Sequence, residues 1–284
     1  MRLSLIFVVH FFYQLAFTQV NKVEIYGHRG FRGLYPENSI IGFQKAIELG
    51  INGIELDVVL NKNKELVISH EHFFQKEFCL DSLGKEIQKE SDYTIYNLTQ
   101  EQISRFDCGS KYHSKFPDQI KLKTTKPLFQ DFITSTNLHN VILLFEVKSN
   151  PKEYGISQPE PKEYCEIILN ELKKYPFKSN VRIMSFDNQI LEELHKLDSS
   201  YPLIYLTYLP KSPRYFLKKL SFTPYALGMF YPTINKRKVN ELNELKIKLF
   251  AWTVNSKDTA GKLIHYGVDG IISDFPNLMM EAQK

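Results

Sequence analysis

A chain of 284 residues with 43% hydrophobic content can bury a substantial core in one large domain or two small ones, which excludes a disordered polymer. Its 36 basic and 32 acidic residues leave a net charge of only +4, far short of a nucleic-acid-binding bias, so no nucleic-acid partner is expected and the cations are read locally. Three scattered cysteines, Cys79, Cys108 and Cys165, show no CxxC and no Cys/His spacing, which argues against a thiolate zinc site.

At the N-terminus Arg2 precedes an apolar run, Leu3 to Phe17, broken only by His10 and Gln14. The run is shorter than the roughly 20 apolar residues of a spanning anchor. It ends at Ala16-Phe17-Thr18, a small-x-small site, so residues 1–18 read as a secretory signal peptide and the mature chain is expected to begin near Gln19. The expected location is therefore secreted or periplasmic, with no membrane span after processing. In such an oxidising compartment Cys79 and Cys108 can pair, although unpaired thiols fit the sequence equally well.

From Val23 onward, eight β-rich runs alternate with amphipathic stretches. The strands are predicted at Val23 to His28, Gly53 to Leu60, Val141 to Ser149, Val181 to Phe186, Leu203 to Leu209, Ala226 to Tyr231, Leu249 to Asn255 and Gly270 to Asp274. Helical spacing falls at Ser39 to Leu49, Leu128 to Ser135, Pro161 to Tyr175, Asn188 to Leu197, Pro213 to Leu220, Lys236 to Lys246 and Ser256 to Tyr266. Eight such alternations point to a (β/α)8 TIM barrel. A doubly wound open sheet is the alternative, but no G-x-G-x-x-G follows the first strand. One break interrupts the alternation. The turn-like Asn61-Lys62-Asn63-Lys64 lets Glu65 to His70 return as a hairpin arm, after which a polar stretch over about residues 71–126 reads as a small inserted subdomain.

In such a barrel, chemistry belongs at the C-terminal ends of the strands. His28 and Arg29 end the first strand, Glu55 and Asp57 lie two apart on the second, Glu146 and Lys148 two apart on the third, and His70 follows the hairpin arm. Period-two spacing sends each pair to one side of its strand. Buried ion pairs such as Arg29 with Asp57 or Glu146 with Lys148 account for one pair at a time, but not for three carboxylates collected in an apolar interior. A divalent cation does account for them. All-oxygen ligation favours a hard ion, Ca²⁺ or Mg²⁺, over zinc. With two imidazoles for proton transfer and two cations for an anion, the set outlines metal-assisted phosphodiester hydrolysis.

The same residues resemble the glycerophosphodiester phosphodiesterase family. The resemblance runs through His28-Arg29-Gly30, Pro36-Glu37-Asn38-Ser39, Phe43, Ala46, Gly50, Glu55-Leu56-Asp57-Val58 and His70. It continues at Phe106-Asp107-Cys108-Gly109-Ser110, Glu146-Val147-Lys148, Ser185-Phe186, Trp252-Thr253-Val254-Asn255 and Gly270-Ile271-Ile272-Ser273-Asp274. It implies a TIM-barrel hydrolase with a small domain inserted after the second strand, releasing glycerol 3-phosphate and an alcohol from a small soluble diester. It places His28 and His70 as the acid/base pair, Glu55, Asp57 and Glu146 as ligands of one divalent metal ion, and Arg29 and Lys148 against the phosphate. In one departure, the residue after the second histidine is often Asp in the family and is Glu71 here.

Two other readings use the same residues. One is a related phospholipase D-type barrel acting on lysophospholipid head groups; the other is a non-catalytic phosphodiester-binding protein. Trp252 reads equally as a lining of the glycerol pocket or as core, and Phe186 more as core. Asn38 or Ser39 is expected to cap the helix after the first strand. His72, His113, His139, His195 and His265 read as surface or packing residues, and Lys121, Lys123 and Lys126 as a solvated face.

Overall fold

The computed structural model describes residues 22–176 and 180–284. The segment read as a signal peptide, including its cleavage site, lies outside them. Eight parallel strands close into a barrel: β1 (Glu24–Gly27), β2 (Gly53–Leu60), β4 (Ile142–Val147), β5 (Val181–Ser185), β6 (Leu203–Thr207), β7 (Ala226–Phe230), β8 (Lys248–Trp252) and β9 (Gly270–Ser273). Closure comes from β1, which pairs in parallel with both β9 and β2. The hairpin arm is β3 (Leu66–Ile68), antiparallel to β2 with Val58 opposite Ile68.

Helices form at each of the seven places where the apolar spacing put them. The helices are α1 (Ile40–Glu48), α2 (Gln100–Ile103), α3 (Phe129–Ser135), α4 (Pro161–Leu172), α5 (Asn188–Leu197), α6 (Pro213–Leu217), α7 (Lys236–Glu244), α8 (Lys257–Tyr266) and α9 (Pro276–Ala282), of which α2 and α9 are additional. Caps explain several starts: Ser39, Asp187, Asn235 and Ser256 each accept a hydrogen bond from a backbone N–H of the first turn. Helix α8 stops at Gly267, whose φ of 86° is the left-handed conformation that glycine adopts without penalty.

Strand alternation splits the apolar residues into two layers. One phase of each strand, with the buried faces of the helices, forms the large cluster between barrel and helices that includes Ile54, Leu56, Phe145, Ile183 and Leu203. The other phase fills the barrel with Tyr26, Leu144, Met184, Ile204, Leu206, Ala226, Phe250 and Ile272. On β2 and β4 that inward phase continues upward as Glu55, Asp57 and Glu146, so apolar filling gives way to carboxylates at the C-terminal mouth.

The chain between β3 and α3 builds a cluster of its own. Phe74, Phe78, Cys79, Ile87, Ile95, Ile103, Phe106 and Cys108 bury together against Val59 and Val67, and Cys79 is disulfide-bonded to Cys108. Cys165 is a buried free thiol. Asp107 accepts from the backbone N–H groups of Gly109 at 3.0 Å and Thr124 at 3.3 Å, so the Phe106 to Ser110 motif ties this segment together. Gln119 fastens it to the barrel, its amide donating to the Arg32 and Tyr35 carbonyls at 2.8 Å each. Lys121 and Lys123 are exposed, but Lys126 is not part of their solvated face. It is 6% exposed, donates to Ser69 Oγ at 2.8 Å and lies over the Phe74 ring, because Pro127 must return under β3 to reach α3.

Candidate active site

Beyond β1 the chain reverses sharply, with Arg29 at φ 52° and Gly30 at φ 83°. A Cβ on Gly30 would stand 2.7 Å from the backbone of Gly42, so only glycine lets this turn lie against α1. Arg29 is not glycine and pays a strain of roughly 1–3 kcal/mol there. Its own contacts hold it. Its backbone N–H donates to Glu55 Oε2 at 2.8 Å, its Nη1 to Glu37 Oε1 at 2.9 Å, and its Nε lies 3.3 Å from Asp57 Oδ2. Asn38, at φ 52°, donates through Nδ2 to the same Asp57 oxygen at 2.8 Å, while Ser39 takes the helix cap. The Pro36 to Ser39 turn thus does more than cap a helix, since one of its residues holds a candidate ligand.

The three carboxylates predicted as ligands converge. Asp57 sits opposite Glu146 in the β2–β4 register, and one oxygen of each of Glu55, Asp57 and Glu146 lies within 4.8 Å of the others. All three are buried. Both ion pairs weighed from the sequence also form, Arg29 with Asp57 as above and Lys148 Nζ 2.6 Å from Glu146 Oε1, and Lys148 Nζ stands 3.7 Å from Asp57 Oδ1 as well. They do not satisfy the cluster. Glu55 Oε1 and Asp57 Oδ1 are buried and accept no hydrogen bond. Burial, reinforced by the charges of Asp57 and Glu146, pushes the Glu55 carboxyl well above the usual range, and burial raises Glu146 as well. Asp57 goes the other way, because Arg29, His70 and Lys148 outweigh its burial. Buried oxygens that accept no hydrogen bond, in an all-carboxylate donor set, suit a divalent cation.

Each histidine is held by a carboxylate. His28 Nδ1 lies 2.7 Å from Asp274 Oδ1, just past β9, and His28 Nε2 lies 3.9 Å from Glu55 Oε2. Asn255 donates to the second Asp274 oxygen at 2.7 Å and accepts from the Asp274 N–H at 2.9 Å. An ionised Asp274 makes Nδ1 the protonated nitrogen and leaves Nε2 as an acceptor. Burial lowers the His28 pKa, with Asp274 opposing, while the His28 and Arg32 charges bring Asp274 itself down to about 2 against its burial. His70 Nδ1 lies 2.6 Å from Glu71 Oε1, so the Glu that departs from the family pattern still reaches its histidine.

A pocket of about 230 Å³ opens between them, with one charged and one apolar wall. His28, Arg29, Arg32, Glu55, His70 and Glu146 form the first. The second is Met184, Phe186, Leu206, Trp252 and Ile272. A larger hollow of about 750 Å³, lined by Lys22, Glu24, Lys248 and Asp269, opens beside the N-terminal ends of β1, β8 and β9, away from these groups.

The sequence model of the glycerophosphoryl diester phosphodiesterase family matches residues 28–278. The chain belongs to this family. It is 29% identical over 268 residues to a glycerophosphodiester phosphodiesterase of Caldanaerobacter subterraneus, covering 93% of this chain and 98% of the relative. Its fold matches a crystal structure of a candidate glycerophosphoryl diester phosphodiesterase from Silicibacter pomeroyi with a TM-score of 0.84 at 24% identity, over 93% of each chain. It also matches an Oleispira antarctica phosphodiesterase, solved with the product sn-glycerol-3-phosphate, with a TM-score of 0.74 at 21% identity over 91% of this chain and 96% of that one.

For this family member the seven polar side chains read from the sequence, His28, Arg29, Glu55, Asp57, His70, Glu146 and Lys148, gather at one mouth. Trp252 lines the pocket with its Nε1 buried and unpartnered, and Phe186 lines it too. Three further groups escaped the sequence reading. Asp274 closes the last strand motif and Asn255 the one before it, yet neither has a partner nearby in sequence to signal a role. Arg32 lines the pocket and joins Glu37 at 2.6 Å to Asp274 at 3.7 Å. Its signal was the Arg29-x-x-Arg32 spacing before Glu37.

Proposed function

We propose that the chain hydrolyses small glycerophosphodiesters to glycerol 3-phosphate and an alcohol, with one divalent ion, Ca²⁺ or Mg²⁺, held by Glu55, Asp57 and Glu146. The observation that carries this is the buried three-carboxylate cluster beside two carboxylate-held imidazoles in one pocket. When bound, the ion supplies positive charge against the phosphate oxygens. Arg29 and Lys148 add to that charge from the protein side. Asp274 and Glu71 fix the Nδ1–H of His28 and His70, which leaves the two Nε2 atoms to move protons. One takes the proton of the attacking oxygen, from water or a neighbouring glycerol hydroxyl, and the other protonates the leaving alkoxide. The apolar wall of Met184, Phe186, Leu206, Trp252 and Ile272 excludes bulk water from the diester's other side. Secretion is part of the same proposal and is supported by the apolar N-terminal run and the Cys79–Cys108 disulfide.

The two-histidine roles are tested with His28→Ala and His70→Ala, each expected to lower turnover of a glycerophosphodiester by roughly 10²- to 10⁴-fold. A nitrophenyl ester, whose leaving group needs no proton, should rescue only the variant that lost the acid. Full activity of both variants on the natural diester contradicts the assignment.

A further inference from the structure

Between Asp198 and Glu241 the sequence contains no acidic residue, across 42 positions. Seven basic residues fall there: Lys211, Arg214, Lys218 and Lys219 after β6, then Lys236, Arg237 and Lys238 after β7. In a chain with nearly balanced charge this is a local positive field. Strands β6 and β7 are paired neighbours, with Thr207 opposite Met229, so both loops leave the barrel side by side at the mouth. Each loop also opens on exposed apolar side chains. Tyr208 is 62% exposed, and Leu209 and Phe230 are 36% exposed. The patch is continuous with the pocket, because Tyr208 lies 6.2 Å from Phe186 and Phe230 lies 5.5 Å from Trp252, ring centre to ring centre. Tyr215, also exposed, interleaves with the cations, with Lys219 Nζ 5.0 Å and Lys211 Nζ 5.9 Å from its ring centre.

We propose that this rim is an interfacial docking surface for an anionic lipid bilayer, on which the barrel mouth rests. A bilayer offers both things the rim displays a need for: anionic headgroups for the lysines and an apolar boundary for Tyr208, Leu209, Tyr215 and Phe230. A polyanionic strand fits less well. The hollow between α6 and α7 that would seat one is lined by Glu241 and Glu244 as well as Arg214 and Arg237, and Glu241 already pairs with Arg214 at 3.5 Å. Docking goes beyond the hydrolysis proposed above and stands on the rim's own chemistry, whatever the mouth turns over.

The test is sedimentation of the full chain with phosphatidylcholine vesicles and with vesicles that also contain phosphatidylglycerol. Comparing wild type with Lys211→Glu/Lys219→Glu and with Tyr208→Ser/Leu209→Ser cancels any contribution of the apolar N-terminal run. Partition should require phosphatidylglycerol, weaken with salt, fall by roughly fivefold or more for each lysine reversed, and fall again in the Ser variant. Hydrogen exchange on adding the anionic vesicles should slow at residues 208–220 and 230–238, and it reports on the folding of every variant. Equal partition of wild type and the Glu variant, protection confined to other segments, or tighter binding to a single-stranded oligonucleotide than to the anionic vesicles overturns the proposal.

Discussion

Asp274 is not among the residues that line the pocket, yet through His28 Nδ1 it decides which nitrogen of that ring carries the proton. Asp274→Asn keeps the size and offers a carbonyl or an amide in place of the carboxylate, so the His28 tautomer is no longer enforced. Turnover should fall by roughly 10²- to 10⁴-fold with little change in KM. Unchanged kcat would reduce the pair to a structural contact. Lys126 carries the opposite kind of consequence, for stability. Burial depresses its ammonium to about 8, with Glu37 and Glu71 opposing. An unfolded lysine titrates near 10.4. Between these values the unfolded chain holds a proton that the folded chain has released, so stability should rise with pH from about 8 to 10.4, by about 3 kcal/mol. Lys126→Met should lose that rise when denaturation midpoints are compared across the window, and an identical slope in both proteins counts against the burial.

Among the elements, the segment between β3 and α3 depends on covalent help because its apolar cluster is small. Joining residues at a sequence separation of 29, Cys79–Cys108 should contribute about 3–4 kcal/mol. Cys79→Ser/Cys108→Ser should lower the denaturation midpoint accordingly, and no shift would mean the thiols are unpaired in solution. The strands and helices of the barrel were legible because each buries a regular phase: Ile54, Leu56 and Val58 against the helices, Glu55 and Asp57 inward. Strand ends read too far, as at Val141 to Ser149 against Ile142–Val147, because Lys148 and Ser149 continue the extended composition after the ladder has stopped. The site was legible where its residues sat on that strand phase or just past a strand end, and not where a loop residue acts through a partner distant in sequence. Asp274 meets His28 from the other end of the chain and is itself held by Asn255, Arg32 joins through Glu37, and Lys126 in a lysine-rich stretch gives no sign of burial.

At the scale of the molecule, one end of the barrel carries everything proposed. Its carboxylates, imidazoles and cations fill one wall of the pocket, its apolar side chains fill the other, and a basic apolar rim continues outward from β6 and β7. The buried carboxylate cluster is compatible with a divalent cation, since Glu55 Oε1 and Asp57 Oδ1 accept no hydrogen bond. Release of glycerol 3-phosphate from sn-glycero-3-phosphocholine, measured before chelation, after it, and after adding back Ca²⁺ or Mg²⁺, tests this most directly. Activity should disappear on chelation and return with one of the two ions in wild type but not in Glu146→Gln; a chelated enzyme that keeps full turnover contradicts the proposed metal centre.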